Sequence, residues 1–131
     1  MQAVFDAQLS RGYMEGLTTD ALEQIAAYFT ALSEPTRLQI LNLLRNGEQN
    51  VGELAAQCGF TSANMSRHLA LLNKQGLVAK DSRGTSVYYR IADESVYTLC
   101  DLVCGSILRQ LEERAVKHKA FAKSAKLAIK R

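Results

Sequence analysis

The stretch that decides the fold is NVGELAAQCGFTSANMSRHLALL, residues 50–72. Asn50 and Glu53 have the spacing of a capping box, which predicts that a short helix begins here. Gly59 interrupts that helix, and Thr61 is a typical N-cap for a second one. Two short capped helices joined by a tight turn predict a helix-turn-helix.

Downstream of the second helix, the hydrophobic pattern changes from helical to strand-like. Residues 77–80 and 87–91 are rich in β-branched and aromatic side chains, and they flank Arg83-Gly84-Thr85. This arrangement predicts a β-hairpin directly after the helix-turn-helix. The expected fold class is therefore mainly α with a small β-hairpin, a winged helix-turn-helix.

Three further helices are predicted around this element. Asp20 and Glu23 have capping-box spacing, and Ser33 is a candidate N-cap for an apolar, central helix. Asp93 is expected to cap a long last helix that runs to about Lys117 or further. The apolar residues expected to face inward on the helix after Asp20 are Leu22, Ile25, Ala26, Phe29 and Leu32.

The chain of 131 residues divides by pattern into three segments. Residues 1–18 are expected to form an N-terminal helical extension, residues 19–116 the winged helix-turn-helix domain, and residues 117–131 a basic C-terminal tail. The tail carries six Lys or Arg and no acid, whereas residues 1–116 carry 10 basic and 13 acidic residues. A general basic field is therefore absent from the domain, and the tail either contacts DNA phosphates or is a solvated end.

Several classes of protein are excluded by composition and pattern. No apolar run reaches the ~20 residues of a membrane span, and the first residues lack the features of a signal peptide. The three cysteines are expected to be thiols, which fits a cytoplasmic protein without a membrane partner. No Cys-x-x-Cys, glycine-rich phosphate loop or carboxylate–histidine constellation indicates an enzyme.

The second helix has the pattern of a DNA-reading helix. Met65, Leu69 and Leu72 share one face and are expected to pack inward. The opposite face is small and polar, which lets a helix enter the major groove, where Arg and Asn contact base edges. The alternative is an ordinary solvated face, and His68 fits a structural role as well as a phosphate contact. The predicted DNA-binding residues are Thr61, Ser62, Ala63, Asn64, Ser66, Arg67 and His68, with Arg83 at the hairpin tip.

The order and spacing of several short blocks resemble the ArsR/SmtB family of repressors over roughly residues 20–115. The resemblance implies a homodimer through the first and last helices. It also implies that the dimer binds double-stranded operator DNA and leaves it when an inducer binds. The blocks are ALSEPTRLQIL (31–41), VGEL (51–54), SRHL (66–69), LV (77–78) and VYYR (87–90).

Two inducer sites known in that family do not match this sequence. One uses Cys-x-Cys on the helix before the reading helix, where this chain has only Cys58. The other uses Asp-x-His and a later histidine pair on the last helix, whereas the only histidines here are His68 and His118. Metals that prefer oxygen or imidazole ligands therefore have little to bind.

Cys100 and Cys104 remain as the candidate inducer site, with Cys58 as a candidate third ligand. At i,i+4 on a helix, the two Cβ atoms lie ~5–6 Å apart, which is wide for a disulfide but suits a larger soft atom. The predicted inducer is therefore trivalent arsenic or antimony, with no permanent cofactor. Other third donors are a thiol of the partner chain, a small cellular thiol or hydroxide.

Three alternatives stay open for the cysteines. They are small buried hydrophobes, as free cysteines often are. They are the sensor of a thiol-redox or reactive-sulfur repressor of the same fold. Or the protein is a constitutive architectural DNA-binding protein, in which losing both cysteines changes no regulation.

Overall fold

The computed structural model describes residue 12 and residues 14–129. It contains two compact units, the first ending at Asp93 and the second beginning at Glu94. Most of the helical extension predicted for residues 1–18 lies outside the described residues. The elements, in chain order, are α1 (Thr19–Leu32), α2 (Pro35–Leu43), a 3-10 turn (Leu44–Asn46), β1 (Gln49–Asn50), α3 (Val51–Cys58), α4 (Ser62–Lys74), β2 (Val78–Arg83), β3 (Ser86–Ile91) and α5 (Ser95–Ile129).

The capping signals of α3 and α4 form as predicted. The side-chain oxygen of Asn50 accepts from the backbone N–H of Glu53 at 2.8 Å, and its amide donates back to the Glu53 carboxylate at 3.1 Å. Gly59 ends α3 in the left-handed region with φ 71°. The Thr61 hydroxyl then accepts from the backbone N–H of Asn64 at 3.2 Å. These local bonds fix the turn between the two helices.

The caps of α1 and α2 differ from the prediction by one or two residues. Thr18, not Asp20, caps α1. The predicted cap Ser33 is wrong for α2, because the Glu34 carboxylate accepts from the backbone N–H of Arg37 at 3.0 Å. Ser33 instead ends α1. A glutamate cap is less usual than a serine cap, which is why the sequence favoured the serine.

The predicted hairpin is present and gains a third strand. The sheet order is β1-β3-β2, all antiparallel. Arg83 pairs with Ser86 around Gly84, which has φ 61°. The two-residue strand β1 pairs Gln49 with Tyr89. Two residues are too few for a strand pattern, so this strand was not predicted from the sequence.

The core of the first unit lies between α2, α3, α4 and the sheet. Met65, Leu69 and Leu72 of α4 are fully buried, as their shared face predicted. Other fully buried side chains are those of Ile40, Leu54, Leu77 and Val78.

The inward face predicted for α1 is largely wrong. Leu22 and Phe29 are 42% and 48% exposed. Only Ala31, at the end of the helix, is buried. Leu38 of α2 is exposed as well, so the central helix is not buried all round. Most of the apolar face of α1 is therefore uncovered.

The second unit is one helix, α5, of 35 residues. At 1.5 Å per residue it is about 52 Å long. It continues past Lys117, where its end was predicted, as far as Ile129. Among the described residues, no helix has the length and apolar character needed to cross a membrane. The large apolar side chains exposed on its central part are those of Leu102, Val103, Ile107, Leu108, Leu111 and Val116.

Candidate nucleic-acid interface and cysteine pair

The predicted DNA-reading residues lie together on the start of α4. Thr61, Ser62, Ala63, Ser66 and Arg67 are exposed, while Asn64 and His68 are half-buried. The Arg67 guanidinium donates a hydrogen bond to the side-chain oxygen of Asn64. The two side chains that suit bidentate base contacts are therefore held side by side.

His68 is held from three sides by neighbouring residues. Its Nδ1 accepts a hydrogen bond from Arg37 at 3.2 Å and lies 3.8 Å from the Glu34 carboxylate. Its ring also stacks on Phe60, with centroids 6.0 Å apart and an interplanar angle of 26°. The bond from Arg37 leaves only Nε2 for any other partner. This environment favours the structural role for His68.

Arg37 is the residue of this site that the sequence did not single out. Its Nε donates to the carbonyl of Ala31 at 2.7 Å, and a second nitrogen donates to the carbonyl of Thr30 at 3.2 Å. With its bond to His68, the side chain connects the end of α1 to α4. Arg37 and His68 are 31 residues apart, so no local pattern indicates the contact.

Glu34 completes this cluster as an acceptor. Desolvation by itself raises the pKa of this carboxyl. Hydrogen bonds from Arg37 and Thr36, together with nearby His68, outweigh it and hold the pKa below the ordinary value of 4.5. Glu34 is therefore ionised under ordinary conditions, and it caps α2 with a full negative charge.

Arg83, predicted to contact DNA from the hairpin tip, is paired with two acids. It donates two hydrogen bonds to the Glu48 carboxylate, at 2.6 and 2.8 Å, and one to Asp81 at 3.0 Å. Its guanidinium also lies 4.7 Å from the centre of the Tyr88 ring. The bonds to Glu48, and then those to Asp81, raise the pKa of Arg83. A DNA phosphate has to compete with these carboxylates for the guanidinium.

The three cysteines are thiols in two separate elements. Cys100 is half-buried and Cys104 is exposed, one helical turn apart on α5. Cys58 is half-buried at the end of α3, and burial raises the pKa of its thiol. Within residues 14–129, no three His, Cys, Asp or Glu side chains are grouped to hold a metal. The pair on α5 thus offers two sulfur donors, and its exposed member is open to a small ion.

Known proteins that resemble this chain are of one class. Residues 34–80 match the family model for bacterial regulatory proteins of the arsR family. The HTH-type transcriptional regulator NmtR of Mycobacterium tuberculosis is 39% identical over 85 residues, covering 65% of this chain and 71% of that protein. The transcriptional repressor SmtB homolog of Synechocystis is 35% identical over 85 residues, covering 65% and 64%. These relatives are transcriptional regulators.

A solved structure extends the likeness to the fold. It is the solution structure of the homodimeric winged helix-turn-helix DNA-binding domain Mb0332 from Mycobacterium bovis. The TM-score is 0.64 at 38% identity, and the match covers 76% of this chain and 95% of the other.

Proposed function

The chain belongs to the ArsR family of bacterial regulatory proteins, and on this premise we propose that it is a homodimeric, cytoplasmic repressor released from its operator by a thiophilic inducer. The family and its repressor relative support DNA binding without catalysis. The inducer and the residues that bind it are specific to this proposal.

The observation that carries the DNA-binding part is the two-sided character of α4. One side is fully buried in the first unit, and the other presents small polar side chains with Arg67 beside Asn64. A helix held rigidly from behind presents its outer face to the major groove with little loss of freedom. The bidentate capacity of Arg67 and Asn64 makes them the base-reading pair, with Thr61, Ser62 and Ser66 suited to phosphates.

The uncovered apolar faces of α1 and α5 support a homodimer through these helices. Leu22 and Phe29 of α1 and the central apolar residues of α5 are exposed in the single chain. Apolar faces of this extent on a monomer usually mark a protein interface. The homodimeric state of the Mycobacterium bovis domain supports the same arrangement.

The cysteine pair of α5 is the proposed inducer site. Two thiols one turn apart suit a soft ion larger than the gap a disulfide bridges, and trivalent arsenic and antimony are of this kind. When the ion binds, it holds both side chains in one rotamer and draws together one face of α5. The second candidate, a thiol-redox or reactive-sulfur sensor, uses the same residues, and the exposure of Cys104 suits it too.

Release requires only that the inducer prefers the state that does not bind DNA. Two recognition helices must match half-sites about 34–36 Å apart, so a small change in the angle between protomers weakens both contacts together. A coupling free energy of about 1–3 kcal/mol gives a useful switch. The inducer therefore does not need to touch α4.

The experiment is an operator-binding titration of single variants with and without trivalent arsenic or antimony. Cys100→Ser and Cys104→Ser should keep operator affinity and lose release. Cys58→Ser is the matched control, because its thiol lies on another element; it should keep both. Release of a Cys100→Ser/Cys104→Ser variant by the metalloid would refute the site. Release of the unaltered protein by peroxide or polysulfide, but not by antimony, would select the redox candidate.

A further inference from the structure

Helix α5 is divided by charge into two halves. Residues 94–113 contain four acidic residues and one basic residue, and residues 114–131 contain seven basic residues and no acid. The described part of the basic half is helical, and its lysines are exposed. Lysines near a helix C-terminus are favoured by the helix dipole, but that effect is limited to the last turn. The dipole therefore does not account for Lys117 and Lys119, which lie about three turns from the end.

A mostly apolar stripe, here called the α5 seam, runs along the helix at spacings of three and four residues. Ile107 and Leu111 in it are 50% and 52% exposed. Seam positions are symmetric about Leu111, since 107 and 115, 104 and 118, and 100 and 122 lie at equal steps on either side. The seam passes through Cys100, Cys104, Ile107, Leu111, Ala115 and Ala122.

The charges that flank the seam lie on one side of it. At 100° per residue, Asp101, Glu112, Lys119, Lys123 and Lys126 fall within a sector of about 60° beside the seam. Along this flank the sign changes from acidic to basic near the middle of the helix. Lys117 lies on the other side of the seam, so it does not belong to this flank.

We propose that α5 pairs antiparallel with α5 of a second copy, about a two-fold axis near Leu111. In a parallel pair the acidic half of each flank meets the acidic half of the other, and the basic halves meet as well. In an antiparallel pair the same flank of each helix meets with its charge order reversed, so Asp101 lies across from Lys119 and Lys123. The charge division is thus self-complementary in one orientation only.

The length of the helix agrees with this register. Helix α5 runs from Ser95 to Ile129, so its midpoint lies within one residue of Leu111. An antiparallel pair centred on Leu111 therefore covers the whole helix, including the basic segment. In this arrangement the basic segment binds the acidic half of the partner, which replaces the expectation that it contacts DNA phosphates.

The same register has a consequence for the inducer site, and this step rests on the proposed function. Cys104 is seven residues from the axis, so the two Cys104 residues of a dimer are about 21 Å apart along the helices. No thiol of the α5 pair in one protomer then reaches the pair in the other. Each protomer binds its own ion, which gives two ions per dimer, and the third donor is not a partner Cys100 or Cys104.

Distances between spin labels test the orientation directly. Ser124→Cys and Arg109→Cys are each introduced into a Cys58→Ser/Cys100→Ser/Cys104→Ser background and labelled. The antiparallel pair predicts about 40 Å between labels at residue 124 and below about 20 Å at residue 109. Short distances at both positions mean a parallel pair, and long distances at both mean that α5 is unpaired. Either result overturns the proposal, whether or not the cysteines bind an inducer.

Charge reversal tests the electrostatic part. Lys119→Glu/Lys123→Glu/Lys126→Glu should raise the dimer dissociation constant about tenfold or more at low salt, measured by sedimentation. Adding Glu94→Lys/Asp101→Lys should restore it, while Lys117→Glu, off the flank, is the matched control and should change it little. An unchanged dimer with a flatter salt dependence of DNA binding would overturn the proposal and assign the lysines to DNA. Metalloid per dimer, counted on the unaltered protein, should be two.

Discussion

The first unit and helix α5 solve the problem of apolar surface in opposite ways. In the first unit, α4 buries Met65, Leu69 and Leu72 completely against its own chain. In α5, Leu102 is 67% exposed, and the seam residues are about half exposed. The first unit therefore contains its own core, whereas α5 depends on a second chain to cover its apolar side. A DNA-reading face needs a rigid base within one protomer, and a regulatory helix needs a surface shared by two.

The largest expected effect contrasts a buried with an exposed leucine. Leu69→Ala should lower the free energy of unfolding by about 2–5 kcal/mol, because it removes a fully buried side chain. Leu102→Ala, on the side of α5 away from the seam, is the matched control and should change it by within about 0.5 kcal/mol. Urea denaturation followed by circular dichroism measures both. Equal losses would mean that α5 has a covered core of its own.

The next effect concerns the reading face of α4. Arg67→Ala should weaken operator binding by about 1–3 kcal/mol if the guanidinium contacts a base edge in two places. Arg67→Lys keeps the charge but not the fork, so it should also lose discrimination between operator and scrambled DNA. Fluorescence anisotropy at fixed salt measures this. Full rescue by lysine would move Arg67 from the base-reading group to the phosphate contacts.

The smallest effect is a dependence on pH at the junction of α1, α2 and α4. Because hydrogen bonds lower the pKa of Glu34, its carboxylate stabilises the folded state above about pH 4.5. That contribution is lost as the pH falls through the lowered pKa. Glu34→Gln can still accept the bond from Arg37 but does not titrate. The unaltered protein should therefore lose more stability than the variant between about pH 5 and pH 3.

That pH comparison is made by thermal unfolding of both proteins across the same buffers. Glu23→Gln is the control, because Glu23 is an exposed residue of α1. Parallel curves for the unaltered protein and Glu34→Gln would show that the cap does not titrate differently in the folded chain.

Local signals explain how much of the first unit the sequence predicts. The bonds between Asn50 and Glu53, and between Thr61 and Asn64, join residues three apart. Such bonds depend on few neighbours, so the residue types alone indicate them. The apolar face of α4 is equally local, since its period follows from helix geometry. The spacing of Cys100 and Cys104 also follows from one helix.

Contacts between distant residues explain what the sequence did not predict. Strand β1 exists because Gln49 and Asn50 pair with β3, about 40 residues away along the chain. The cap at Glu34 is part of a cluster with His68, and the acids around Arg83 come from two segments. Each of these depends on which elements become neighbours.

The sequence by itself determined the helix-turn-helix, the hairpin and the thiol spacing, because helix periods, caps and turns act within a few residues. Only the tertiary structure decided which polar residues remain available. It bound Arg83 to Glu48, spent Arg37 on the end of α1, and left the apolar face of α5 uncovered. Burial and pairing are properties of distant segments brought together, and a hydrophobic pattern shows only that a face must be covered, not by what.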